Sequence, residues 1–266
     1  MDRSELLALY DLEERWRAAY PDMRREATAH VVRHAPLAPK SGFRSGFISY
    51  IRLYAATVGP AIDEQVLFFS AFGTDFEWKV YDHDTPSDLR QRLVERGFVC
   101  DEPEAIMALP LDQAPPSLLA PLTHDVRLLD DPDQLDDVLA VQRDVWQREH
   151  NGLAGHLRDT MIQHPALLSV YAAYDHGRPV ASGWLYHNAR SPFASLWGGS
   201  TLKSYRGQGF YTALLAVRVQ EAVLRGARYL TIDASPMSRP IVASFGFLDL
   251  ATAHACTWGA AANAQD

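Results

Sequence analysis

At 266 residues, 47% hydrophobic and 22% charged, the chain has ordinary globular composition and enough length for two modest cores. A formal net charge of −8 argues against a nucleic-acid surface and leaves a mild preference for cationic or amine ligands. Two cysteines, Cys100 and Cys256, make neither a disulfide framework nor a metal set and suit a reducing compartment. No segment is long and apolar enough to span a bilayer, and the charged start Met1-Asp2-Arg3-Ser4-Glu5 replaces the apolar run of a signal peptide. The expectation is a cytoplasmic protein without membrane contact.

In chain order, the first half predicts a helix over Ala61 to Phe72, preceded by Ala55-Ala56-Thr57-Val58-Gly59-Pro60 and carrying Asp63 and Glu64 near its start. A strand from Trp78 then runs through Asp84-Thr85-Pro86 to a capped helix, Ser87 to Arg96, closed by Gly97-Phe98. Between Pro110 and Thr123 lies a proline-rich stretch without periodicity, which divides the chain into halves at 1–118 and 119–266. In the second half Val126 to Leu129 reads as a strand, Asp131-Pro132 opens a helix through about Gln147, and a second helix runs from near Leu157 to Gln163. Strands follow at Leu168 to Tyr174, Pro179 to Tyr186 and Ala194 to Trp197.

Next comes Thr201-Leu202-Lys203-Ser204-Tyr205-Arg206-Gly207-Gln208-Gly209-Phe210-Tyr211, a strand-to-helix turn. Apolar residues at Phe210, Leu214, Val217 and Leu224 keep a helical period, and Gly226 is a stop signal. The first N–H groups of such a helix have no partner within it, and its dipole presents partial positive charge there. Gly207 and Gly209 lack Cβ atoms and let the backbone curl around an anion. Gly198-Gly199 interrupts the preceding strand as a bulge would. A dinucleotide fingerprint fails because the third glycine position is Thr212, and a nucleotide P-loop fails for want of Gly-Lys-Ser/Thr. After the helix, a strand over Arg228 to Asp233 leads to Ser235-Pro236, read as helix N-cap and first helical position, then a short helix ending at Gly246-Phe247.

The Arg206-Gly207-Gln208-Gly209-Phe210-Tyr211 segment, with the bulge glycines before it and Gly-Phe after it, resembles the Q/R-x-x-G-x-G/A signature of the GNAT superfamily of acyl-CoA N-acyltransferases. The resemblance implies an α/β fold with a central mixed sheet flanked by helices, and a loop that holds the coenzyme A pyrophosphate through Arg206, Gly207, Gln208, Gly209, Phe210 and Tyr211. It implies that Ser200, Thr201 and Leu202 line the pantetheine arm, with Ser235 and Ser238 nearby. Two positions depart from the family pattern: the last Gly/Ala is Tyr211, and a general-acid Tyr found in many relatives is replaced by Val242. Thiolate protonation is therefore left to Tyr211, Ser238 or water. Candidate bases are Asp233, at the end of its strand, and Glu149 or His150, in the connection between the first two helices.

The Pro86 and Gly97-Phe98 landmarks recur about 150 residues later as Pro236 and Gly246-Phe247, which suggests a duplicated domain. The whole resembles tandem GNAT proteins in which one half is active. The first copy reads as degenerate, since Pro60 removes a backbone donor while Asp63 and Glu64 repel phosphate. The implied reaction transfers an acetyl or other acyl group from acetyl-CoA to a small-molecule amine or a protein amino group, without metal or nucleic acid; a homodimer is compatible with it. The alternative is an acyl-CoA sensor that lost catalysis. His30, His34, His150 and His156 lack metal-site spacing, and Trp146, Trp184 and Trp197 read as core or acceptor-pocket walls.

Overall fold

The computed structural model describes residues 1–37, 45–147 and 152–259. In chain order it has α1 (Arg3–Tyr10), continued by a π-helical turn at Asp11–Trp16, β1 (Met23–Ala27), β2 (Val31–Pro36), β3 (Gly46–Ile51) and α2 (Val58–Phe72). Next come β4 (Phe76–Tyr81), α3 (Leu89–Val94), β5 (Val99–Cys100), β6 (Glu104–Pro110), α4 (Pro116–Leu119), β7 (Asp125–Leu129), α5 (Leu135–Trp146) and α6 (Leu153–Gln163). The chain continues through β8 (Leu168–Asp175), β9 (Arg178–His187), β10 (Phe193–Thr201), α7 (Phe210–Leu224), β11 (Tyr229–Ala234), α8 (Arg239–Ala243) and β12 (Leu248–Trp258). These form two compact units, Met1–Ile106 with Leu250–Asp266, and Met107–Asp249. Among the described residues no helix is long and apolar enough to cross a membrane.

In the first unit the strands run β1–β2–β3–β4–β12, antiparallel except for the parallel β3–β4 pair. Ala61, Ile62 and Phe69 of α2 bury against Phe76, Trp78, Leu93 and Phe98. Gly46 is required on β3, because a Cβ there would fall 2.1 Å from the Phe69 ring. Helix α2 begins at Val58, three residues before the expected Ala61, so Gly59 and Pro60 lie inside its first turn. Asp63 and Glu64 fall beyond that turn and pair with Arg96 at 2.8 Å and Arg33 at 3.7 Å. They are ion-pair partners, not guards of the helix terminus.

The cysteines correct a second expectation. Register on β5 and β12 sets Cys100 directly opposite Cys256, and the two are joined by a disulfide. They are 156 residues apart in sequence, and only sheet pairing brings them together.

In the second unit the order is β6–β11–β10–β9–β8–β7, with β10–β11 parallel and the β7–β8, β8–β9 and β9–β10 pairs antiparallel. Helices cover both faces. Leu135, Val138, Leu153 and Leu157 of α5 and α6 pack on Val170 and Trp184, and Phe210 and Leu214 of α7 pack on Tyr171, Ala173 and Ala181. Strand β8 is buried over almost its whole length, as expected of a strand covered on both faces.

The sequence echo has a structural counterpart. Helices α3 and α8 both close on a glycine in the left-handed region, Gly97 at φ +86° and Gly246 at φ +90°. Each is followed by a buried Phe whose N–H reaches back, Phe98 to the Leu93 carbonyl and Phe247 to that of Val242.

Candidate active site

Strands β10 and β11 pair only as far as Leu196 and Ile232, although β10 runs on to Thr201 and β11 to Ala234. Past that point they part. On its other edge β10 follows β9 in register up to Trp197↔Trp184 and resumes at Ser200↔Ser182, so Gly198 and Gly199 oppose Gly183 alone. This is a bulge, and Gly198 adopts φ +62° there; a Cβ on it would sit 1.9 Å from the Trp184 ring.

A bulge breaks ladder hydrogen bonds, and two buried side chains replace them. Gln142 of α5, 3% exposed, donates Nε2 to the Gly198 carbonyl at 2.7 Å and to Ser182 Oγ at 3.0 Å, and accepts from Ser200 Oγ at 3.3 Å. Trp146 Nε1 donates to Ser200 Oγ at 3.2 Å. From the opposite face, Arg218 of α7 donates Nη1 to the carbonyls of Trp184 and Trp197, each at 3.4 Å, and Nε to its own helix at the Leu214 carbonyl at 2.9 Å.

Beyond β10, a short 3₁₀ turn at Lys203–Tyr205 leads into the glycine loop. Gly207 and Gly209 take φ +74° and +90°, values that a side chain strains. Gly209 caps α7 with no side-chain hydrogen bond, and the first helical bond runs from the Ala213 N–H to the Gly209 carbonyl. The N–H groups of the first turn therefore point outward, beside the exposed Lys203 and Arg206. His124 braces the loop: its Nε2 lies 2.9 Å from the Gln208 carbonyl, and its ring meets Phe210 edge-on at 4.6 Å. Backbone donors, helix dipole and two cations suit this cradle to a phosphate.

The acetyltransferase (GNAT) family model matches residues 133–247. This segment is a GNAT-family domain. The fold as a whole is similar to that of a GCN5-related N-acetyltransferase from Kribbella flavida, at 18% identity, 98% of each chain covered and TM-score 0.69. It is similar to a functionally unknown conserved protein from Staphylococcus epidermidis ATCC 12228, at 13% identity, 91% of this chain and 96% of that one, TM-score 0.67. It also resembles a tandem GNAT protein from the clavulanic acid biosynthesis pathway, in a structure without AcCoA, at 12% identity, 91% and 85% coverage, TM-score 0.56. No curated protein matches the sequence. The fold is thus that of tandem GNAT-like domains, and the family supports acyl transfer in general.

Within the GNAT domain the structure places the sequence-derived residues as follows. Arg206, Gly207, Gln208, Gly209, Phe210 and Tyr211 stand together at the start of α7. Ser200 and Thr201 end β10 and Leu202 follows it; the Leu202 N–H donates to the Val180 carbonyl at 2.9 Å, and Thr201 Oγ1 is buried without a partner among the described residues. Asp233 lies one residue past the last paired position of β11, half-buried. Glu149 and His150 lie outside the described residues.

Helix α8 starts later than expected: Ser238 is its N-cap and Pro240 stands in its first turn, while Ser235 Oγ accepts from the Ser238 N–H at 3.3 Å. Ser238 Oγ in turn reaches the Ser235 carbonyl at 3.3 Å. Val242 is fully buried and offers no proton. Tyr211 packs against the bulge, its Cε2 3.3 Å from where a Gly199 Cβ would be. Burial raises its phenol pKa, while the Arg218 charge pulls the other way.

On the α5–α6 face, Trp197 is 49% exposed and meets Tyr186 edge-on, and Tyr186 shares a 2.6 Å hydrogen bond with His156. Trp184, in contrast, is core. Gln142, Arg218 and His124 escape a motif-led reading. Gln142 and Arg218 do leave a trace: each sits four residues after a fully buried apolar residue, Val138 and Leu214, where the helical period calls for another.

Proposed function

We propose that the protein is an N-acyltransferase that moves an acetyl or related acyl group from acetyl-CoA to a primary amine by direct attack. The observation that carries this reading is the loop at Gly207 and Gly209, two left-handed glycines opening a 15-residue helix whose first turn has no side-chain cap. In this reading Arg206 to Tyr211 hold the diphosphate. The pantetheine arm enters where β10 and β11 part, beside Ser200 and Thr201; with the Leu202 N–H committed to β9, Leu202 contributes packing alone. Asp233 takes the ammonium proton, and the thiolate is protonated by Tyr211, Ser238 or water. The acceptor is a small amine or an amino group of a protein, met by Trp197, Tyr186 and His156.

The halves 1–118 and 119–266 are read as two copies of which the first is degenerate. Among its described residues no Gly-x-Gly pair takes left-handed angles at a helix start. One acyl-CoA site per chain follows. A cytoplasmic location belongs to this reading through its donor. The Cys100–Cys256 disulfide pulls the other way, since such bonds persist in oxidising compartments. Counting free thiols in acid-quenched cells decides that point.

A second reading, a non-catalytic acyl-CoA sensor, is favoured by one feature, the buried Val242 where a general acid would stand. Calorimetric titration with acetyl-CoA, followed by detection of free thiol across a panel of amines, separates the two. The enzyme binds one equivalent and releases thiol with at least one amine. A sensor binds and releases none.

A further inference from the structure

Arg218 is the most unusual buried group in the GNAT domain. It is 1% exposed, and among the described residues no carboxylate pairs with it. A lone buried cation is expensive, and proteins ordinarily give it a counter-ion. Its hydrogen-bond partners among the described residues are three backbone carbonyls, two of them at 3.4 Å. Its Nη2 donates to no described group. The surrounding titratable groups are Tyr211 of α7 and Tyr171 of β8, whose hydroxyl is bound to Glu221 at 2.9 Å. Burial, the largest influence, pulls the guanidinium down to about 10, which leaves it charged at neutral pH.

The chain is shaped to hold this charge in one place. One glycine makes room for it, since a Cβ on Gly183 would lie 2.9 Å from Nη1; Gly199 lies next to it, where a Cβ would stand in ordinary contact with Nη2 at 3.8 Å. Gly199 is the second residue of the bulge and is exposed. Gly199 belongs to the part of β10 beyond its last pairing with β11, and it places no side chain between Nη2 and that splayed backbone.

We propose that Arg218 is a positioning residue whose uncompensated charge, delivered through the Gly198–Gly199 bulge, stabilises the negative charge that develops on the reacting thioester. The proposal rests on the acyltransferase reading above. In that reaction the amine nitrogen attacks the acyl carbon and a C–N bond forms as the carbonyl electron pair moves onto oxygen. The pair returns, the C–S bond breaks, and sulfur leaves as thiolate while the ammonium proton passes to the base. Negative charge rests first on oxygen and then on sulfur. A fixed cation in a water-poor setting favours both without reorganising. It also answers the loss of the acid at Val242, because a thiolate stabilised by charge has less need of a proton in the same step.

The equilibrium counterpart of this effect is measurable without any acceptor. The thiol of coenzyme A bound to the wild-type protein, followed by thiolate ultraviolet absorbance against pH, should titrate below the thiol of free coenzyme A. In Arg218→Gln, which keeps donors for the bulge carbonyls but removes the charge, the bound thiol should shift back towards the free value. Turnover per folded molecule should fall by on the order of tenfold to a hundredfold with coenzyme affinity little changed. Arg218→Lys, which restores charge without the fork, should recover most of that loss. A wild-type thiol titrating at or above the free value overturns the proposal, whether or not the variants fold. Equal turnover in wild-type and Arg218→Gln also overturns it, and so do losses in Gln and Lys that both track melting temperature. Failure of the wild-type protein to bind coenzyme A in calorimetry, or to release thiol with any amine, is a separate result that strikes the acyltransferase reading itself.

Discussion

Gln142 and Gly198 are joined across the core by a 2.7 Å hydrogen bond, from a side-chain amide on α5 to the carbonyl at the centre of the β10 bulge. Without it that carbonyl and Ser182 Oγ lose the Gln142 amide in a buried setting, and Ser200 Oγ is left with Trp146 Nε1. Gln142→Leu, close in volume but apolar, should therefore destabilise the protein by about 2–4 kcal/mol. Urea unfolding that gives a lower midpoint with an unchanged slope would show it. A neutral result would mean that the bulge is held by chain geometry alone.

Gly209→Val tests the anion loop. The glycine sits at φ +90°, and a Cβ there meets the His124 ring at 2.9 Å. Valine should turn the first-turn donors away, and coenzyme A affinity should fall by at least roughly a hundredfold, the equivalent of losing about two hydrogen bonds to a charged group. Calorimetry reads the affinity and circular dichroism checks that the domain stays folded. Unchanged affinity removes the pyrophosphate assignment.

Asp233→Asn tests the base. A general base contributes about a hundredfold to ten-thousandfold in rate, so turnover should drop within that range, coenzyme affinity should hold, and the acidic limb of the pH–rate profile should vanish. A lower melting temperature with activity per folded molecule preserved would make Asp233 a turn residue. A preserved acidic limb moves the assignment to Glu149 or His150.

The first unit carries its own pH signature. His83 Nε2 lies 2.9 Å from Asp11 Oδ2, beside the buried Arg15, which pairs with Asp84 at 2.7 Å and lies over the Tyr81 ring; Asp82 faces the other ring nitrogen at 3.4 Å. The Asp11 hydrogen bond lifts His83 above its ordinary 6.5, against burial. Burial pushes Asp11 up, but His83 and Arg15 outweigh it and leave it below 3.8. A raised histidine adds stability that is complete below 6.5 and fades as pH climbs through its higher folded value. A lowered carboxylate adds stability above 3.8 that fades as pH falls through its lower folded value. Both contributions are full between these two limits. Urea midpoints measured across pH should decline as pH rises above 6.5 in the wild type, and His83→Gln should flatten that decline. An unchanged alkaline slope would show that the pair does not couple to folding.

Much of this protein was legible from the chain because it is written in short-range terms. The glycines of 207–209, the apolar period of α7 and the Gly-Phe closures after α3 and α8 are set by backbone conformations and helical spacing, which act over a few residues. Boundaries were less legible: α2 starts before its Gly-Pro, and α8 starts after Ser238 instead of Ser235, because either site can satisfy a helix start and packing selects one. Only the tertiary structure decided the rest. Cys100 meets Cys256 because two strands share a register. Gln142 and Arg218, 76 residues apart, grip one bulge from opposite faces of a sheet, and His124 reaches a loop more than 80 residues away. A buried polar side chain takes its meaning from the groups it satisfies, and those groups are neighbours in space, not in sequence.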